Sequence, residues 1–278
     1  PTALARLIAA LRHPSRWPTL TKRLIRDMRA EARSVLLWPL ALVVGVIGGY
    51  AALALQLTLQ AFQLVFFAEG EERLAEAAAT LPPAQVILAP VLGGVLVGAL
   101  LWLGKRLNWL PETRARGIAD VMEARAVHNG EMPIRPALLS ALISASSLGS
   151  GVSAGREGPA VHLGASLASG VSRLLGLPPR GARILLACGA ASAVAASFDA
   201  PLAGALFAFE VILGHYALRS IAPVAAASVT GALVARLHLG AAPAFPMPAI
   251  APASLLDFAL VAPLALICAA LAVAFVQA

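Results

Sequence analysis

Residues 148 to 164 read Leu-Gly-Ser-Gly-Val-Ser-Ala-Gly-Arg-Glu-Gly-Pro-Ala-Val-His-Leu-Gly, a glycine-rich turn between two apolar segments. The turn carries a charged pair, Arg156 and Glu157, in otherwise uncharged surroundings. Its neighbours Gly155, Gly158 and Pro159 predict that one helix stops here and that another begins at Pro159, because proline is tolerated in the first turn of a helix. Unpaired backbone amides and the positive end of a helix dipole therefore meet in the turn, an arrangement that binds anions.

The composition outside this turn is that of a membrane protein. The 278-residue chain is 59% hydrophobic and 13% charged, whereas a soluble domain carries roughly 25% charged residues. Apolar runs repeatedly approach or exceed the ~20 residues that cross a bilayer as a helix. No strand pattern in the chain would close a barrel, so the spans must be helical. The sequence therefore predicts an all-α polytopic membrane protein whose solvent is mostly the lipid bilayer.

Basic residues concentrate in residues 1–33, before the first long apolar run. They are Arg6, Arg12, Arg16, Lys22, Arg23, Arg26, Arg29 and Arg33. By the positive-inside rule this segment lies in the cytoplasm. We interpret residues 20–33 as an interfacial helix on anionic lipid, which accounts for much of the net charge of +7 without a nucleic-acid partner. The predicted location is a bacterial inner membrane.

Several apolar segments are too short to be ordinary spans. Residues 34–67 form an unbroken apolar run, and the later shorter segments are residues 136–152, 160–175, 182–197 and 202–213. Short apolar helices that Gly and Pro interrupt predict half-helices that meet inside the bilayer, around a site near the midplane of a transporter or channel. The last apolar run, residues 254–278, ends without a polar flank, so we expect the sequence to be truncated.

Nothing in the sequence indicates catalysis, a cofactor or a metal. Cys188 and Cys268 lie in apolar, Ala/Leu-rich runs, where free cysteine behaves as a small hydrophobic residue. There is no nucleophile and base pair, P-loop or zinc motif. We therefore expect a protein that is not an enzyme.

Three motifs resemble those of the CLC chloride channel and transporter family. They are Gly155-Arg-Glu-Gly-Pro159 followed by Val161-His-Leu-Gly164, then Asp199-Ala-Pro-Leu-Ala-Gly-Ala-Leu-Phe207 with Glu210 three residues later, and Ala115-Arg-Gly-Ile-Ala-Asp120. The resemblance implies a fold of broken and tilted helices. It assigns residues 34–253 to the first of the family's two inverted repeats and residues 254–278 to the start of the second. It also implies a homodimer with one pore in each subunit.

The resemblance implies a chloride pathway, with Glu157 as its gate. In the family, the matching carboxylate occupies an anion site when it is ionised and leaves when it is protonated or displaced. Gly155, Arg156 and Gly158 would then form one anion-binding position, with Arg156 as a structural partner of Glu157 or a source of long-range positive potential rather than a direct ligand. A second position is expected at Arg116, Gly117 and Ile118, with chloride as the permeant ligand.

Two departures from the family pattern bear on mechanism. Arg116 replaces the family's anion-binding serine. Either its guanidinium lies at the inner mouth and attracts anions, or it turns to cytoplasmic water and leaves only backbone amides as ligands. Val211 replaces the glutamate of proton-coupled members, which favours a passive channel. An antiporter with Glu210 as proton donor is the alternative, and a non-conducting fragment or regulatory subunit is an alternative of another class.

Two further residues have simpler interpretations. His162 follows the gate on the same predicted helix, and we expect it to be packed with one ring nitrogen hydrogen-bonded, rather than to be a pH sensor. Asp199 precedes Pro201 and is predicted to be the N-cap of the helix that follows.

Overall fold

The computed structural model describes residues 17–68, 79–240 and 255–277, with side chains from residue 37 in the first range and from residue 259 in the last. Within these ranges all regular secondary structure is helical. The helices are α1 (Trp17–Phe67), α2 (Pro83–Arg106), α3 (Ile118–Ala126), α4 (Ile134–Gly149), α5 (Glu157–Leu174), α6 (Pro179–Phe198), α7 (Pro201–Phe207), α8 (Leu218–Leu239) and α9 (Leu255–Gln277). A π-helical turn, Ala208–Leu213, continues α7.

Five described helical segments are long and apolar enough to cross a bilayer. They are Leu37–Phe67, Pro83–Arg106, Pro179–Phe198, Leu218–Leu239 and Ala259–Gln277. Two apolar stretches, Ile134–Gly149 and Pro201–Leu213, are shorter. The prediction of an all-α, multi-pass membrane protein with some short helices is therefore confirmed.

Two helix boundaries differ from the sequence predictions. The segment predicted as a short helix at residues 182–197 is α6, which has 20 residues, because Pro179 starts the helix three residues earlier. Helix α5 begins at Glu157 rather than at Pro159. A proline lacks an amide proton, and any position in the first turn tolerates that loss, so Pro159 does not fix the starting residue.

Helix α6 is the centre of the described fold. It packs against α1, α5, α7 and α8, and most of its residues are buried. Small residues let the neighbouring backbones approach. A Cβ atom added to Gly189 of α6 would lie 2.7 Å from the Cβ of Ala168 on α5, closer than atoms can pack. Close packing of this kind stabilises helix pairs in lipid, where the hydrophobic effect between helices is absent.

Glycines also bring α1 against α6 and α8. An added Cβ at Gly45 would lie 2.8 Å from the Cβ of Thr230, and one at Gly48 would lie 2.8 Å from the Oγ of Ser192. The Ser192 hydroxyl donates a 2.6 Å hydrogen bond to the carbonyl oxygen of Gly45. The contact therefore combines close backbone approach with a buried interhelical hydrogen bond.

Residues 242–278 form a compact unit separate from residues 1–241. In the described part of this second unit, α9 is a long apolar helix with Pro263 in its interior. Residues 1–16 of the predicted basic segment lie outside the described residues. The stretch interpreted as an interfacial helix, residues 20–33, forms part of α1, and its side chains are also outside the described set.

Candidate anion site

The first half of the site is the N-terminus of α3. Gly117 is the N-cap in an extended conformation, and its amide donates a 2.8 Å hydrogen bond to the Oδ2 of Asp120. The amides of Ile118 and Ala119 belong to the first turn, so the helix provides no carbonyl one turn earlier to accept from them. This end of α3 therefore presents backbone donors at the positive end of its dipole.

An ion pair between the exposed Arg114 and the buried Asp120 fixes this helix start. Arg114 donates two hydrogen bonds to Asp120, of 3.0 and 2.9 Å, and the Asp120 residue is only 8% exposed. Burial raises the pKa of the Asp120 carboxyl. The hydrogen bonds from Arg114 and the Gly117 amide lower the pKa by more than burial raises it, so it lies below its ordinary value. Asp120 is therefore ionised at neutral pH, and Arg114 balances its charge.

The second half of the site is the N-terminus of α5. Arg156 is the N-cap residue, and its Nη2 donates a 3.2 Å hydrogen bond to the carbonyl oxygen of Ser197 on α6. Glu157 is half-buried and is the first residue of α5. Its carboxylate lies against Gly155, in the space that a side chain at residue 155 would fill.

The two helix starts meet. A Cβ atom built on Gly158 would lie 3.9 Å from the Cα of Gly117. The structure thus brings together the two predicted sets of anion-binding residues, Gly155, Arg156 and Gly158 from one turn with the neighbourhood of Gly117 from the other. Two positive helix ends with few intervening side chains make a junction that favours a negative charge.

Not all of the predicted backbone donors are available. The Gly117 amide is bound to Asp120, and the Arg116 amide donates a 3.1 Å hydrogen bond to the Oγ of Ser140 on α4. The second predicted set is Arg116, Gly117 and Ile118. Of these three residues, Ile118 has the backbone amide that neither hydrogen bond uses. Ser140 is fully buried and was missed from the sequence, since nothing in its local pattern shows a contact with a residue 24 positions away.

Glu210 lies in the π-helical turn and is exposed. The Tyr216 hydroxyl donates a 2.6 Å hydrogen bond to the Oε1 of Glu210, and this bond raises the pKa of Tyr216. Beside it, Val211 packs against the buried core. The Arg125 side chain of α3 donates to the carbonyl oxygen of Leu213, so the turn that carries Glu210 is tied to the helix that forms half of the junction.

Two of the simpler interpretations are wrong. Asp199 is not the N-cap of α7. It is the C-cap of α6, in the left-handed conformation with φ 52°, and its Oδ1 is 2.6 Å from the Nε of Arg236. His162 does not have one satisfied nitrogen, because neither ring nitrogen has a hydrogen-bond partner among the described residues.

In the part of the chain that the structure describes, no three His, Cys, Asp or Glu side chains are grouped closely enough to hold a metal ion. The groups that the structure places at or beside the junction are the backbone amides of two helix starts, the Glu157 carboxylate and the ion pair of Arg114 with Asp120.

Comparison with known proteins identifies relatives for most of the chain. Residues 93–278 match the family model described as voltage gated chloride channel. The chain is 34% identical over 210 residues to a putative chloride channel protein, ClcB-like, of Ralstonia nicotianae, covering 74% of this chain and 48% of that protein. It is 31% identical over 201 residues to the voltage-gated ClC-type chloride channel ClcB of Salmonella dublin, covering 72% and 47%.

Solved structures show the same fold. A slow cyanobacterial Cl⁻/H⁺ antiporter superposes with a TM-score of 0.62 at 24% identity, covering 79% of this chain and 50% of that chain. A CLC-type fluoride/proton antiporter gives 0.61 at 22% identity, covering 80% and 51%. The chain spans about half the length of the curated relatives it matches. With a family model that matches more than half of its residues, this chain belongs to the CLC family of voltage gated chloride channels and transporters.

Proposed function

We propose that the protein conducts chloride across a membrane and that Glu157 gates the pathway. The observation that carries this proposal is the meeting of the α3 and α5 N-termini at Gly117 and Gly158. Glu157, which carries a carboxylate, is the first residue of α5 at this junction. Its negative charge and a permeant anion would be drawn to the same helix dipoles, so each would displace the other.

The charge balance around the junction supports rapid exchange rather than tight binding. Arg114, close to the α3 start, is already paired with Glu112 and Asp120, so this group adds no net positive charge. Backbone dipoles then supply the attraction, and partial charges hold an anion less tightly than a fixed cation would. In this proposal Arg116 acts through its long-range charge rather than as a direct ligand, because its backbone amide is bound to Ser140.

We propose a passive channel as the transport mode, because Val211 is apolar and packs against the core where proton-coupled members carry a glutamate. The relatives' names include chloride channels. The second candidate is a proton-coupled antiporter. Its support is the Glu210 carboxylate, which is exposed and accepts a hydrogen bond from the ionisable Tyr216 hydroxyl, and the titles of the structural neighbours name antiporters.

We also propose a homodimer in a bacterial inner membrane. The bacterial relatives support the location. Large apolar side chains on α8 are exposed in the single chain, among them Val229, Leu233 and Leu237. A second copy packed against this face would remove them from lipid and add close helix contacts.

Flux measurements on the full-length protein in liposomes test the proposal. We expect radioactive chloride to enter vesicles down its gradient, with no movement of protons against theirs. Uphill proton movement driven by chloride would reject the channel mode and support the antiporter. If chloride flux equals that of protein-free vesicles, the proposal that the protein conducts chloride is wrong. That result would favour a non-conducting subunit of a membrane complex.

A further inference from the structure

His162 is a buried polar side chain that the proposed gating mechanism does not use. It is only 1% exposed, and neither its Nδ1 nor its Nε2 has a hydrogen-bond partner among the described residues. A neutral imidazole has one donor nitrogen and one acceptor nitrogen. Leaving both unpaired in a buried position costs free energy, so native structures usually provide a partner for such groups.

His162 lies one helical turn beyond the anion junction on α5. It follows Gly158 by four residues on α5, and residues four apart lie on the same face of a helix. The Gly158 face is the one that approaches Gly117 at the start of α3, and α3 packs against α5. His162 therefore lies on the face of α5 that approaches the start of α3.

The charges around the imidazole agree with this placement. His162 interacts electrostatically with Asp120, Arg116 and Arg114, the charged residues around the start of α3. Asp120 already accepts hydrogen bonds from Arg114 and from the Gly117 amide. The Asp120 carboxylate is thus occupied. Glu112 is also paired with Arg114, so the two carboxylates offset the two arginines, and the unpaired amides at the α3 start supply the attraction for an anion.

We propose that His162 lines an inner anion-binding position, where its ring N–H donates to a small monovalent anion held by the first-turn amides of α3. This inference rests on the proposed function. The family's anion-binding serine is Arg116 in this chain, and the His162 side chain would take the place of the missing serine hydroxyl. A water molecule of a partly hydrated anion donates to the second ring nitrogen. Both nitrogens are then satisfied, and the unpaired N–H groups of α3 gain an acceptor.

A chloride titration of the purified full-length protein tests this assignment. His162→Met removes both hydrogen-bonding atoms at similar volume, and we expect it to weaken chloride binding about tenfold. His162→Gln keeps a donor and an acceptor and should stay within about threefold of the wild-type affinity. His238→Met is the matched control, because His238 lies on α8 against Tyr50 and binds the Val234 carbonyl oxygen. It should leave the affinity unchanged.

Thermal stability separates a ligand from a packed core residue. Replacing an unpaired buried imidazole by an apolar side chain should leave the melting temperature unchanged or raise it, while chloride binding falls. The proposal is overturned if His162→Met binds chloride as tightly as the wild type. That result would leave the proposed function intact, whereas a wild type that neither binds nor conducts chloride would reject both.

A measurement on the unmodified protein covers the case in which His162→Met does not fold. The imidazole nitrogen resonances of isotope-labelled histidine, assigned by their loss in His162→Gln, should shift when chloride replaces a large impermeant anion such as gluconate. Resonances of His162 that stay fixed through the chloride titration would overturn the assignment.

Discussion

Glu157→Ala should conduct chloride at a rate that no longer depends on external pH. In the proposed gating only the charged Glu157 carboxylate competes with chloride, so we expect the wild-type flux to rise as the external pH falls. The variant has no carboxylate at the junction and should show the open rate at every pH. At about pH 7 we expect its chloride flux to exceed that of the wild type about tenfold, because the anion no longer has to displace the carboxylate. A tenfold ratio corresponds to about 1.4 kcal/mol.

Chloride flux into liposomes, measured across a series of external pH values, checks this expectation. The matched control is Glu131→Gln, which removes an exposed carboxylate outside the junction and should leave the flux and its pH dependence unchanged. A Glu157→Ala protein whose flux rises on acidification as steeply as the wild type would show that another group is the gate.

Gly189→Val should destabilise the protein strongly. The first added carbon would collide with the carbonyl oxygen of Gly164 and would lie 2.7 Å from the Cβ of Ala168, both on α5. Neither neighbour is the end of a flexible side chain, so the α5 and α6 backbones must separate. We expect a loss of about 3 kcal/mol, at the upper end for overpacked cores, because backbone atoms have to move.

The melting temperature of the purified protein in detergent, with the yield of monodisperse protein, measures this loss. Gly94→Val on α2 is the matched control, since an added Cβ there meets nothing within 4 Å. The control should melt within a few degrees of the wild type. Equal melting temperatures for the two variants would mean that the α5 and α6 crossing is looser than described.

Local sequence patterns predicted the helical class and the turn at Gly155 to Pro159, whereas Gly117 and its neighbours were predicted only by the resemblance to the CLC family. Apolar length indicates a membrane helix, and the glycines around Arg156 and Glu157 indicate a helix start with unpaired backbone amides. The link from the Gly117 amide to Asp120 is also a local signal. A carboxylate three residues after an N-cap is the ordinary spacing for such a bond.

The remaining features depend on contacts between distant segments, which local patterns do not encode. Ser140 reaches the Arg116 amide across 24 residues. Asp199 sits before a proline as an N-cap does, yet the carboxylate is drawn to Arg236 on α8. Gly93 and Gly94 are neighbours in α2, yet an added Cβ would meet another segment only at Gly93, where it would strike Ser150.

The central claim is that the starts of α3 and α5 form one anion site at Gly117 and Gly158. Anomalous diffraction from crystals of the full-length protein grown in bromide instead of chloride tests it most directly. We predict a bromide peak beside the first-turn amides of both helices, and a stronger peak when Glu157→Gln removes the competing charge. Bromide bound elsewhere in the protein, with no peak at this junction in either protein, would contradict the account.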